Sequence, residues 1–98
     1  MFFKDYYHGH SKKEIQQDII DDGFSPQLIT NPPGYKYSEH QHKETKILGL
    51  LEGSMEITVN SETFTCFAGD KLVIQGNTPH AAVVGKDGCT FFWAEKVA

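Results

Sequence analysis

Apolar positions fall into two different patterns on either side of the Asn31-Pro32-Pro33-Gly34 loop. Upstream, Ile15, Ile19 and Ile20 recur at helical spacing and form one apolar stripe. Ser11 and Glu14 stand where a capping box needs them, and Gly23 supplies a stop, so the spacing predicts a short amphipathic helix. A first strand is expected from Phe24 to Thr30, whereas Met1 to His10 carries no periodic pattern. Downstream, the period drops to two. Strands are expected over Tyr35–His42, Ile47–Leu51, Ser54–Val59, Glu62–Phe67, Leu72–Ile74, His80–Val84 and Cys89–Ala94. Asn60-Ser61, Ala68-Gly69-Asp70, Gln75–Pro79 and Gly85–Gly88 read as the turns between them. Seven or eight short strands with regular turn signals predict an all-β sandwich or barrel carrying a small N-terminal helix.

Length and charge narrow this picture. Ninety-eight residues make one domain. A chain this short buries only somewhat over ~60% of its unfolded surface, so its core is thin. That thin core, with apolar strand residues to spare, leads to the expectation of a homodimer. The net charge of −4 argues against a nucleic-acid partner, which selects for a basic face. No apolar run approaches the ~20 residues that cross a bilayer, and Met1 to Asp5 lacks the apolar core of a signal peptide. The expected location is cytoplasmic. Cys66 and Cys89 lack a CxxC spacing and are expected to be reduced thiols, Cys66 as core.

The candidate chemistry centres on His40-Gln41-His42. Residues two apart on a strand share a face and lie about 6.6–6.8 Å apart at the backbone. Two imidazoles so placed can converge on one metal ion, each through a single ring nitrogen. His80, arriving from a distant strand, would complete a facial three-histidine site. His8 and His10 repeat the spacing, but in an unpatterned segment expected to be frayed or to lead into the helix. Tyr35, Tyr37, Phe91 and Trp93 are read first as packing and second as a barrel mouth.

These residues make the chain resemble a small single-domain cupin. Gly34, five residues, His40-Gln41-His42 and Gly53 follow the first cupin motif. Gly69-Asp70 and Pro79-His80 follow the second. The resemblance implies a double-stranded β-helix, a jelly-roll-like β-barrel, over residues 1–98. Residues 1–30 would be the helix and lead-in strand, and 34–84 the bipartite motifs. It also implies a divalent transition metal, iron, manganese, nickel, zinc or copper, on His40, His42 and His80.

The chain departs from the motif in several places. Lys46 stands where the family places a glutamate that is often a fourth ligand, and Gln75, Asn77 and Val84 replace the proline, glycine and asparagine of the second motif. A protonated lysine about 4 Å from a divalent ion would cost on the order of 8 kcal/mol, so it must turn away, pair with Glu44 or Glu52, lose its proton, or share the fold with no metal. Snorkelling to solvent is the blander outcome. Three neutral imidazoles leave a metal its full double charge, which favours a small anionic ligand. The expected function is therefore a metal-dependent enzyme of dioxygenase, isomerase or lyase type, with Lys46 or Glu44 as acid–base or clamping group. The alternative is a non-catalytic binding or sensing module using the same pocket.

Overall fold

The computed structural model describes residues 1–96. Its elements run β1 (Phe2–Phe3), α1 (Lys12–Asp21), β2 (Phe24–Asn31), β3 (Lys36–His40), β4 (Lys46–Val59), β5 (Glu62–Phe67), β6 (Lys71–Ile74) and β7 (His80–Lys96). All pairings are antiparallel. The fold is an all-β, antiparallel barrel with one short helix. No helix among the described residues is long and apolar enough to cross a membrane.

Two long strands organise the barrel. The sequence led us to expect β4 and β7 as two strands each, but both run through their glycines as bent single strands. The first part of β4, Lys46 to Gly49, pairs with β6 on one side and with Phe92 to Glu95 of β7 on the other. Its second part, Ser54 to Val59, pairs with β5. There it also meets the start of β7, where Val59 faces His80. The bend falls at Gly53, whose φ is +77° and where an added Cβ would stand 2.0 Å from the Gly88 carbonyl oxygen. Only glycine fits such a corner, because the left-handed backbone and the facing strand both exclude a side chain.

The resulting leaves enclose Leu48, Leu50, Met55, Ile57, Leu72, Ile74, Val84 and Phe91. Cys66 and Cys89 are free and buried there; of the two, only Cys66 was read as core from the sequence. On the outer face, Ile15 and Ile19 of α1 pack with Tyr7, Ile47 and Phe92 in a second cluster. The helix begins at a Ser11–Glu14 capping box with both reciprocal bonds formed. Ile20, counted in the apolar stripe, instead faces solvent.

The first ten residues are more ordered than their composition suggests. Phe2 and Phe3 pair with Leu72 and Lys71, and Tyr7 is buried. The Asp70 carboxylate, itself fully buried, accepts from the Asp5 amide at 2.7 Å and the Phe67 amide at 2.9 Å. Lys71 lies 4.3 Å from the Tyr6 ring centroid, adding a cation–π contact to the same clasp.

Candidate metal centre

Each histidine reaches the barrel interior by a different route. His40 is the last residue of β3 and sits directly opposite His80, the first residue of β7. The pairing shifts register between Tyr37 and His40, so a bulge re-aims the end of β3. His42 lies beyond the strand, not on it as expected, and its carbonyl is held by the Asn77 amide. The loop that carries Gln75–Asn77 thus presents one candidate ligand and leads into another. His8 and His10 are exposed and take no part in this arrangement.

The ring centroids lie 4.8 Å apart for His40–His42, 4.3 Å for His40–His80 and 5.2 Å for His42–His80. One nitrogen from each falls within 4.8 Å of the others. Three imidazoles on a tetrahedral ion at about 2.1 Å would place their nitrogens about 3.4 Å apart, a contraction within reach of small ring rotations. Their hydrogen bonds point the same way. His40 Nδ1 lies 2.6 Å from the Ser38 carbonyl oxygen, and His80 Nδ1 lies 2.9 Å from that of Thr78. A carbonyl only accepts, so each Nδ1 carries the proton and each Nε2 keeps its lone pair. This is the outer-shell arrangement that orients an imidazole for a metal.

His80 Nε2 is buried and has no partner, the one such side-chain atom among the described residues. Burial lowers the His80 pKa, helped by the charges of His40 and Lys46 and opposed by the Thr78 bond. His42 is lowered as well, first by burial, then by Lys46 and the other two rings, with Glu44 acting against them. Both imidazoles are thereby biased toward the neutral form that ligates.

The histidines stand at one side of a cavity of about 220 Å³. Its floor is Leu48, Met55, Ile57, Ile74 and Phe91, all buried. Tyr37 and Trp93, which the sequence assigned first to packing, line it too. The Tyr37 hydroxyl donates to Asn31 Oδ1 at 2.7 Å. Tyr35 is exposed instead and lines no part of this cavity.

Trp93 separates this chamber from a second, more polar one that holds Glu44, Lys46 and Glu95. Lys46 follows none of the partners foreseen for it. It is 7% exposed, donates to Glu95 Oε2 at 2.8 Å, and stands 5.8 Å from the Trp93 ring centroid. Snorkelling is thus replaced by a half-buried ion pair across the β4–β7 ladder, where Lys46 faces Glu95 in register. The register explains the partner, since Glu95 is 49 residues away and invisible to local reasoning. Glu44 is an exposed loop carboxylate outside the histidine cluster.

A model of the family described as "Cupin domain" matches residues 27–95. Among solved structures, the cupin domain of Cnp3 from Schizosaccharomyces pombe superposes with a TM-score of 0.71 at 17% identity, over 78% of this chain and 57% of that one. A conserved protein of unknown function from Streptococcus pyogenes gives 0.68 at 18% identity, over 78% of this chain and 66% of that one. Oxalate decarboxylase from Bacillus subtilis gives 0.67 at 20% identity, over 76% of this chain and 21% of that one. The chain therefore spans less than two thirds of each, and at these identities the likeness is one of fold. A search of curated protein sequences finds no match.

Proposed function

The chain belongs to the cupin domain family, and on that premise we propose that it is a metal-dependent enzyme acting on a small anionic metabolite. His40, His42 and His80 would hold a divalent transition metal. The observation that carries this reading is the orphaned, buried Nε2 of His80, whose Nδ1 proton is committed to Thr78. A lone pair aimed into a cavity with no donor opposite it is costly unless a cation or a ligand proton meets it. When bound, such a metal supplies Lewis acidity and open coordination positions.

The chain's own residues divide the remaining work. The Ser38 and Thr78 carbonyls set the tautomers of two of the histidines. The buried floor excludes water from the reacting end of a ligand. Lys46 and Glu44 we assign to the second chamber, as groups that hold or move a proton at its boundary with Trp93. Their charges reach His42, with opposite effects on its pKa. Lys46, paired with Glu95, also biases His42 and His80 toward their neutral forms from across Trp93.

The position of these two residues also favours a second reading. Among the described residues, no ionisable group apart from the histidines and the Tyr37 hydroxyl lines the inner cavity. A pocket so poor in acid–base groups suits a non-catalytic binding or sensing module. Loading the purified protein with iron(II), manganese, nickel or zinc, with elemental analysis, tests the metal. Bound metal that disappears with His42→Ala, together with turnover of a small anion, supports the enzyme. Ligand-induced thermal stabilisation without turnover supports the second reading, and failure to load any of these metals defeats the metal centre. For the homodimer we propose β2 as the shared edge: it pairs with β7 and leaves Leu28 47% exposed. Sedimentation of the native chain against Leu28→Glu tests that edge.

A further inference from the structure

The inner cavity has a chemical character that the metal reading by itself does not supply. Among the described residues, no Asp, Glu, Lys or Arg enters its lining. Lys46 lines the second chamber, beyond Trp93, and is ion-paired with Glu95 at 2.8 Å. The Tyr37 hydroxyl already donates its hydrogen bond to Asn31 Oδ1. Apart from the histidines, Tyr37 and Trp93, the lining is aliphatic or Phe91, with Leu48, Met55, Ile57 and Ile74 buried.

A charged tail lodged there would have to give up its water with no charged side chain of the lining to replace it. A carboxylate without a counter-charge would carry a large desolvation penalty. The charge that three neutral imidazoles and a divalent metal invite is thus confined to the end of the ligand that touches the metal. Size narrows the body further. An apolar cavity of about 150 Å³ takes one benzene. One of about 220 Å³ has room for one ring and a short head group.

We propose that the ligand of this site is a one-ring or similarly compact hydrocarbon-bodied molecule bearing a single chelating anionic head, with no charge on its far end. Resting as it does on the three-histidine metal reading, the inference excludes dicarboxylates with a distal carboxylate.

Three hydroxamates share one chelating head and differ only in the body, so they separate this claim from the metal reading. The full-length protein is loaded with zinc, or with nickel if zinc does not bind, and titrated calorimetrically with acetohydroxamate, benzohydroxamate and 4-carboxybenzohydroxamate. Benzohydroxamate is expected to bind at least tenfold more tightly than acetohydroxamate, and the distal carboxylate to abolish that advantage. Emission from Trp93, the single tryptophan of the chain, should change with benzohydroxamate and little with acetohydroxamate, which locates the ring in the cavity. An advantage below tenfold, a distal carboxylate that binds as well as the bare ring, or a ring that leaves Trp93 emission unchanged overturns the proposal while leaving the metal centre standing. If neither metal loads, the metal centre falls and this inference falls with it.

Discussion

Replacing His80 by phenylalanine should separate stability from function. The wild-type ring leaves Nε2 buried and unpaired, a defect of about 1–3 kcal/mol in the metal-free protein. Phenylalanine keeps a flat ring of similar size, removes that nitrogen, and has the neighbouring cavity to absorb its extra atom. It also gives up the Nδ1 bond to Thr78, worth about 0.5–1.5 kcal/mol, but Thr78 is half-buried and water can reach its carbonyl. The balance predicts a metal-free variant between unchanged and about 2 kcal/mol more stable. In a domain of this length each kcal/mol moves Tm by about 4–8 °C.

Zinc should reverse the order. At one hundred times its dissociation constant it would stabilise the wild type by about 2.7 kcal/mol and the variant, lacking a ligand, by much less. Thermal melts in chelator and in excess zinc read both quantities. A metal-free variant melting more than about 1 kcal/mol below wild type, or one that keeps the full zinc response, would refute the reasoning. The pH dependence follows with a definite sign. The folded-state pKa of His80 lies below the ordinary 6.5, mainly through burial, and His42 shifts the same way. Their contribution is present above pH 6.5 and lost as the pH falls through the folded values, because the unfolded chain takes up protons first. The metal-free wild type should therefore weaken on acidification below about pH 6.5, and His80→Phe less so.

Three further substitutions probe the frame around the site. Gly53→Ala forces a Cβ to within 2.0 Å of the Gly88 carbonyl at φ +77° and should cost at least about 2 kcal/mol in urea denaturation. Asp70→Ala strands the Asp5 and Phe67 amides and should cost about 3 kcal/mol, with increased proteolysis of the first ten residues as a local readout. Lys46→Met should change stability by less than about 1 kcal/mol, because the Glu95 side chain is 53% exposed. Loss of the lysine charge should nevertheless raise the pKa of His42 and His80 in metal-free protein, followed by imidazole proton resonances against pH.

Much of the fold was legible in the sequence because it rests on local chemistry. The Ser11–Glu14 box and the Ile15–Ile19 spacing placed α1 to within a residue or two. Period-two alternation over Ser54–Val59 and the Asn60-Ser61 turn, both residues at positive φ, specified the β4–β5 hairpin. The turn signal at Gly85–Gly88 misled, and the bend at Gly53 was not foreseen, because glycine there serves a bend instead of a reversal. Gly53, Gly85 and Gly88 lie within continuous strands, since a corner and a turn both call for a residue without a Cβ. The clasp of residues 1–10 was invisible because it depends on pairing with β6, about seventy residues away.

The candidate site divides along the same line. By itself the sequence determined which residue types are present and at what spacing: His40 and His42 two apart, His80 behind a glycine- and proline-marked loop, and Lys46 at the family's glutamate position. Tertiary structure alone decided what each of them meets. Opposing registers brought His40 to His80 and Lys46 to Glu95, and the barrel wall put Trp93 between the lysine and the cavity. Hydrogen-bond partners, burial and charge neighbours are properties of the closed barrel, and the chemistry of a histidine or a lysine depends on them as much as on its identity.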